Sequence, residues 1–196
     1  MPECFDFILR MTIFCILHSL FAAPRIKDRI QHSINHGLTW YRLTYNLFSM
    51  LMFAWVMLAW QSTSVLFVAP GIWSLIMHGL QFIILLTAFS CLRQTGLMGF
   101  LGTDFSPKKK LSELTTTGCY SIVRHPLYLL GILFLLLNPV ISTRWITLTL
   151  FSIPYMLFGA LLEERRMLNQ LGSIYADYQR DVPFLIPKLN RQVIAD

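Results

Sequence analysis

Charged residues are scarce in this chain of 196 residues, where Asp, Glu, Lys and Arg together make up 13%. Soluble globular domains carry about 25%. None of these four residue types occurs in the 50 residues from Leu43 to Leu92, and shorter charge-free runs cover 11–24, 125–143 and 145–162. A bilayer core needs about 20 predominantly apolar residues per helix. The sequence therefore predicts an integral membrane protein and argues against a soluble enzyme, a disordered chain and a secreted disulfide scaffold.

Several chemical signatures are also missing. The sequence has no GxGxxG, no HExxH and no CxxC, so nothing indicates a Rossmann cofactor domain or a metal site. Cys4, Cys15, Cys91 and Cys119 are scattered, and those within apolar spans are expected to be small buried hydrophobic residues. No repeat or long linker divides the chain, so we expect one membrane domain over 1–196.

The apolar runs predict an all-α, polytopic membrane fold of about five transmembrane helices. We expect the first three at 5–22, 42–60 and 72–91, the third after the turn residues Pro70-Gly71. The last two form a helical hairpin, at 127–141 and 145–162, followed by a cytoplasmic tail. The corresponding division is 1–92 for the amino-terminal helices, 93–126 for a cytoplasmic loop, 127–162 for the hairpin and 163–196 for the tail.

Basic residues are distributed unevenly about these spans. Fourteen of the 16 follow the first, third or fifth helix, and only Arg10 and Arg144 lie on the other side. This bias predicts an amino terminus outside and a carboxyl tail in the cytoplasm. The membrane we expect is the bacterial inner membrane. The bias also accounts for the net charge of +6 without a nucleic-acid partner. A cleavable signal peptide ending near Ala23 is the alternative for the first span, but Glu3 and Asp6 disfavour it.

Polar residues gather at the predicted cytoplasmic end of the hairpin. Pro126 suits a first helical turn, and it keeps His125, and Arg124 before it, out of the helix. Such a helix start favours a ligand carboxylate nearby. The alternative interpretation is a positive anchor at the membrane edge with a helix-starting proline.

Two adjacent carboxylates, Glu163 and Glu164, end the second hairpin helix. Carboxylates are costly near hydrocarbon, so at least one is expected to face inward. The hairpin brings them to the same membrane face as Arg124 and His125, which predicts a site with both charge signs. The alternative is a solvated helix end paired to nearby arginines.

Two histidines, His18 and His78, lie inside apolar spans. A bis-histidine haem would need both at similar depth on facing helices. We place His18 near the cytoplasmic end of its helix and His78 nearer the outer end, so a hydrogen-bonded core histidine is the preferred interpretation of each.

The carboxyl-terminal segments resemble a known superfamily. The sequence GCYSIVRHPLYLLG, an apolar hairpin and then LLEERRMLNQLGSIYADYQRDVPFLIP are similar to the cofactor region of isoprenylcysteine carboxyl methyltransferases and bacterial phospholipid methyltransferases. The amino-terminal HSLFAAPRIK and the segment CLRQ resemble the methanethiol S-methyltransferase and NnrU-like branch.

This resemblance implies an S-adenosylmethionine-dependent membrane methyltransferase. It places the cofactor in a cytoplasmic pocket and lets a small or lipophilic acceptor, with a thiol preferred, reach it from the bilayer lipids. The residues that match the motifs are implied to bind the cofactor: Tyr120, Arg124, His125, Pro126, Tyr128, Glu163 and Glu164.

We assign the catalytic roles to Arg124, which orients the cofactor or acceptor, and Glu164, which orients the cofactor or takes a proton. An isoprenylcysteine carboxylate and a phospholipid amine remain possible acceptors. The alternative function is an NnrU-like protein without methyltransferase activity, such as a haem-dependent isomerase using His18 or His78. An accessory subunit of a larger complex is a third interpretation, and the sequence leaves the oligomeric state open.

Overall fold

The protein is described by a computed structural model that covers residues 2–34, 38–59, 63–101, 103 and 114–188. Helices dominate these residues. The elements, in chain order, are α1 Pro2–Ala22, α2 Pro24–Ile34, α3 Leu38–Met57, β1 Val65–Val68, α4 Ile72–Thr95, α5 Leu97–Leu101, α6 Cys119–Ile122, α7 Pro126–Leu136, β2 Val140–Ser142, α8 Thr143–Leu171 and α9 Ser173–Asp181.

Three of these helices are long and apolar enough to cross a membrane, at Cys4–Ala22, Ile72–Thr95 and Thr143–Leu171. In the middle helix, α4, a polar side chain is buried and apolar side chains are exposed, a pattern that contact with lipid allows. The helix buries only Gln81 and Cys91, while large side chains such as Phe82 and Leu85 are more than half exposed. In water such a surface would be an interaction site or an aggregation hazard. The protein is therefore an integral membrane protein, as its sequence predicted.

One compact unit comprises residues 1–68, 96–109 and 140–151. Helix α1 packs along α3 and buries Phe7 and Val56 completely. The carbonyl end of α3 receives two arginines, because Arg10 donates to the Trp55 carbonyl at 3.1 Å and Arg144 to the Met57 carbonyl at 3.4 Å. Cations at a helix carboxyl end satisfy its unpaired carbonyls and oppose its dipole.

This unit also contains a short antiparallel pair of strands, which the prediction of a helical fold did not include, although the described residues are mostly helical. Val65 lies opposite Ser142, and Val68 lies opposite Val140. The predicted helix over 127–141 is therefore too long, since α7 ends at Leu136. Pro139 cannot donate to a helix, and the β-branched residues that follow it suit a strand.

The second compact unit comprises residues 69–95, 110–139 and 152–196. Within it α7 packs along α4, and Gln81 of α4 donates to the Phe134 carbonyl of α7 at 3.1 Å. That carbonyl lies in the last turn of α7, where no helical partner exists. Helices α7 and α8 also approach closely, because a Cβ on Gly131 would meet the Met156 side chain at 2.6 Å.

The remaining boundaries differ mainly at helix ends. Pro70-Gly71 ends the segment before α4 as predicted, with Gly71 at a φ of 49°. Helix α8 continues past 162 to Leu171, so the two glutamates lie within it and not at the start of a tail. A segment predicted as loop forms helix α2. The last helix, α9, begins after Gly172, where φ is 57°.

Candidate functional site

The start of α7 has the predicted conformation. Pro126 occupies the first turn, His125 is the N-cap residue at φ −122° and ψ 64°, and Val123 is extended. The backbone N–H groups of Arg124 and His125 donate to the carbonyls of Pro183 and Phe184 at 2.9 and 3.3 Å. This pairing holds the RHP segment against the chain that follows α9.

Arg124 lies at the centre of the site and is almost fully bonded. Its Nε and Nη2 donate to the two carboxylate oxygens of Glu164 at 2.7 and 3.0 Å. Its Nη1 donates to the carbonyls of Gln179 and Val182, at the carboxyl end of α9, at 2.9 and 2.7 Å. Four of the five guanidinium N–H groups therefore have partners within the protein. Arg124 ties α8 to α9 and caps α9 in the process.

Glu164 is the common acceptor of the cluster. Besides Arg124, its Oε1 accepts from His125 Nε2 at 2.9 Å and from the Tyr175 hydroxyl at 3.0 Å, and its Oε2 accepts from Gln179 Nε2. The residue is 7% exposed. Five donors on a carboxylate with about four lone-pair positions leave it saturated.

Glu163, its neighbour, has a different environment. Its side chain is 46% exposed, its Oε2 lies 3.9 Å from His125 Nδ1, and it shares a hydrogen bond with the Tyr128 hydroxyl. The His125 ring is 5% exposed and packs edge-on against Tyr128 and Phe184. His125 thus stands between the buried carboxylate and the exposed one.

Two further members of the cluster were not predicted as site residues. Tyr175 belongs to the segment that resembles the superfamily, but nothing in the sequence paired it with Glu164. Burial, then the charge and hydrogen bond of Glu164, raise the pKa of Tyr175. Gln179 lies in the same segment and likewise had no predicted partner, and the turn that begins α9 brings it back to the carboxylate.

Tyr120 lies on α6, next to this cluster. Its carbonyl accepts from the Tyr178 hydroxyl at 2.6 Å, and its own hydroxyl bonds Thr95 at the end of α4. Burial is the main cause that raises the pKa of Tyr120. The structure therefore brings all seven predicted residues into one unit, around the start of α7 and the facing turn of α8.

Cys91 and Cys119 require a correction. Cys91 is buried as expected, but it is not an isolated hydrophobic residue, because it forms a disulfide with Cys119. A sequence separation of 28 residues and the absence of a CxxC motif concealed the pair. Cys4 and Cys15 are free and half-buried.

The intramembrane histidines have local partners. His18 Nδ1 lies 3.0 Å from the Ser49 hydroxyl and its Nε2 lies 2.9 Å from the Tyr45 hydroxyl, and His78 Nδ1 donates to the Ser74 carbonyl. Across the described part of the chain, no group of three or more His, Cys, Asp or Glu side chains is arranged to hold a metal ion.

Comparison with known proteins identifies the family of this chain. The profile of the family described as "Phospholipid methyltransferase" matches residues 70–176, more than half of the chain and most of the site described above. The chain belongs to the phospholipid methyltransferase family. It is a methyltransferase, which confirms the resemblance and the enzyme class that the sequence predicted.

The similar curated proteins carry one name. "Methanethiol S-methyltransferase 2" of Bradyrhizobium diazoefficiens is 30% identical over 93% of this chain and 72% of its own length. "Methanethiol S-methyltransferase" of a Pseudomonas species is 28% identical over 92% and 72%, and that of Crocosphaera subtropica is 25% identical over 92% and 73%. No solved structure matches the chain.

Proposed function

We propose that this protein transfers a methyl group from S-adenosylmethionine to a small or lipophilic thiol at the membrane surface. One observation carries the proposal, namely the cluster of Arg124, His125, Glu163 and Glu164 inside the segment that matches the methyltransferase family. The relatives named for methanethiol support the choice of a thiol over a carboxylate or an amine.

The exposed side of the cluster suits this cofactor chemically. S-adenosylmethionine presents an ammonium, a sulfonium and ribose hydroxyls, which are cationic groups or hydrogen-bond donors. Glu163 is an accessible acceptor whose charge Arg124 does not neutralise, because the guanidinium is bound by Glu164. The rings of Tyr128 and Phe184 lie beside His125, each steeply inclined to the His125 ring. Aromatic faces and a carboxylate are the groups that recognise such a cation.

The chemistry asks little of the protein beyond alignment. When bound, S-adenosylmethionine supplies a methyl carbon on a good leaving group, so the thiol sulfur needs an in-line approach and a proton acceptor. Glu163, at the exposed side, can take the thiol proton on its Oε2 or pass it to water. Tyr128 and the apolar start of α7 exclude water from the approach.

The roles of the two central residues follow from their bonding. Arg124 and Glu164 are positioning residues that fix α7, α8 and α9 around the site, and the remaining Nη2 hydrogen of Arg124 can reach a ligand carboxylate. Because Glu164 already accepts five hydrogen bonds, proton transfer is assigned to Glu163 and not to Glu164.

The membrane arrangement belongs to the same proposal. We retain five spans with α3 and α7 as the additional two, the amino terminus outside and the site on the cytoplasmic face of a bacterial inner membrane. With a rise of 1.5 Å per residue, the 11 residues of α7 reach about 17 Å. This helix therefore crosses only with the flanking segment through Pro139.

Equilibrium binding of S-adenosylhomocysteine to the detergent-purified full chain tests the cofactor. We expect a Kd in the micromolar range, lost in Glu164→Ala, with methyl transfer to ethanethiol lowered about tenfold or more in Arg124→Ala and Glu164→Ala. Leu162→Ala, one residue outside the cluster, is the matched control. Absence of binding at millimolar ligand by folded protein, or near-native turnover in both variants, would remove the assignment.

A further inference from the structure

The carboxyl end of α4 is fastened to α6 by three residues, Cys91, Gln94 and Thr95. Cys91 is bonded covalently to Cys119. Gln94 Oε1 accepts from the Cys119 backbone N–H at 3.1 Å, and its Nε2 lies 3.8 Å from Cys119 Sγ. Thr95 bonds the Tyr120 hydroxyl. We call the contacts that Cys91 and Gln94 make with Cys119 the α4–α6 clamp.

The clamp is directly upstream of the site. Helix α6 has only four residues and no side-chain cap, and it runs through extended Val123 into Arg124. Tyr120, next to Cys119, contributes its carbonyl to Tyr178 of α9. So short a helix has little stability of its own. The position of α6, and of the backbone that leads into Arg124, therefore depends on what holds Cys119.

The disulfide is reachable from one side. Cys91 is 1% exposed, whereas Cys119 is half-buried and follows the exposed Gly118. In the proposed topology both cysteines face the cytoplasm, where persistent disulfides are rare and those that form are transient or redox-sensing. Gln94 contacts Cys119 through both its backbone and its sulfur, so part of the clamp survives when the disulfide opens.

We propose that Cys91 and Cys119 form a reversible redox clamp that, together with Gln94, positions Tyr120 and Arg124 for cofactor binding. The inference rests on the proposed methyl-transfer function. Opening the clamp takes two electrons and two protons, which convert the S–S bond into two thiols while a thiol or phosphine reductant is oxidised. Closing the clamp transfers two electrons and two protons from the two thiols to a disulfide oxidant, which is reduced.

The test uses the full chain in detergent and a phosphine reductant, because a thiol reductant could itself be methylated. The phosphine takes oxygen from water, and the count of free thiols rises from two to four. We expect the Kd of S-adenosylhomocysteine to rise about fivefold or more on reduction and to recover after reoxidation with oxidised glutathione. The double variant Cys91→Ser, Cys119→Ser binds weakly in both conditions, and Cys15→Ser responds like the native protein.

Gln94 provides a second arm. Gln94→Glu keeps the acceptor for the Cys119 N–H and should retain affinity within about twofold, whereas Gln94→Leu keeps neither contact and should lose about fivefold or more. Equal Kd values for Gln94→Glu and Gln94→Leu would contradict a positioning role for Gln94 in cofactor binding.

Hydrogen exchange separates failure of the clamp from failure of the methyltransferase proposal. Reduction should speed exchange at the amides of 119–124 about tenfold, with α7 unchanged. Unchanged exchange at the amides of 119–124, or a Kd that stays the same after full reduction, would contradict the redox-clamp proposal. If neither redox state binds the cofactor analogue, the proposed function fails while the exchange result still decides whether the clamp exists.

Discussion

At the scale of single residues, the site depends on a division of labour between two neighbouring carboxylates. Glu164 points into the protein and collects five donors, while Glu163 is half-exposed beside Tyr128. Adjacent residues of a helix differ by about 100° in direction. One turn of α8 therefore supplies both a buried structural anion and an accessible one.

Glutamine substitutions distinguish these two roles. Glu164→Gln leaves the Arg124 guanidinium, 11% exposed, without its counter-charge and should destabilise the protein by about 3–5 kcal/mol. Glu163→Gln should change stability by less than about 0.5 kcal/mol yet lower methyl transfer about tenfold or more. Thermal unfolding in detergent and a turnover assay on both variants measure the difference. Equal stabilities of the two variants would contradict the division.

A matched pair of glycines tests the packing beside α6. Gly118 and Gly172 have nearly the same backbone, at φ 59° and ψ −125° and at φ 57° and ψ −124°. A Cβ on Gly118 would lie 2.4 Å from Gln94 Oε1, whereas one on Gly172 would meet nothing within 4 Å.

Both alanine variants should lose about 1–3 kcal/mol to backbone strain, and Gly118→Ala should lose roughly 1 kcal/mol more to overpacking. Adding Gln94→Ala to Gly118→Ala should recover at most the second part, because it also removes the hydrogen bond from the Cys119 N–H. Thermal unfolding of the three variants provides the measurement. A Gly172→Ala loss as large as that of Gly118→Ala would show that Gln94 moves aside freely.

The residues that could be predicted are those whose chemistry is visible locally. Pro126 fixes its own φ, and a pair of carboxylates at an apolar helix end is conspicuous in any sequence. Tyr175 and Gln179 gave no such indication, because they reach Glu164 only through the turn at Gly172. The Cys91–Cys119 pair likewise depends on how α4 packs, which spacing does not reveal.

At the scale of elements, membrane helices keep polar side chains for positions where backbone groups lack partners. Gln81 is such a residue, since it donates to the Phe134 carbonyl in the last turn of α7. Gln81→Leu keeps the size of the side chain and removes the donor. We expect a loss of about 0.5–1.5 kcal/mol, the net contribution of a typical hydrogen bond in a protein.

Retained methyl transfer with lowered thermal stability would confirm that Gln81 acts on packing alone. His78→Leu is a suitable control, because His78 is exposed on the same helix and donates to the Ser74 carbonyl within its own turn. A Gln81→Leu variant as stable as the native protein would show that water or lipid headgroups replace the donor.

Element boundaries also show where hydropathy stops being informative. The runs that predict α1, α4 and α8 are long, and their helices lie where expected. Over 127–141 the run is equally apolar, yet it divides into α7 and β2, since Val65 to Val68 offers a strand partner that no local pattern discloses. Hydropathy also gives no sign that α8 continues beyond the glutamates, because the turns that follow carry mostly polar side chains.

At the scale of the whole molecule, the proposed orientation puts two arginines on the outer side of the membrane. Arg10 and Arg144, the two basic residues assigned to the outer side, both contact the carbonyl end of α3. Sequence-distant cations at the same helix end are what a common outer face requires. The orientation stays a proposal, which puts Asp177 of α9 in the cytoplasm and Pro70 outside.

Cysteine labelling on intact cells tests this orientation in the full chain. A membrane-impermeant maleimide should label Pro70→Cys in intact cells and Asp177→Cys only after permeabilisation, since both positions are exposed. The native protein, with Cys4 and Cys15, gives the background. The reverse pattern would place Cys91 and Cys119 in an oxidising compartment, where their disulfide would be a permanent structural bond. The orientation therefore determines whether the Cys91–Cys119 disulfide is the proposed reversible redox clamp or a permanent structural bond.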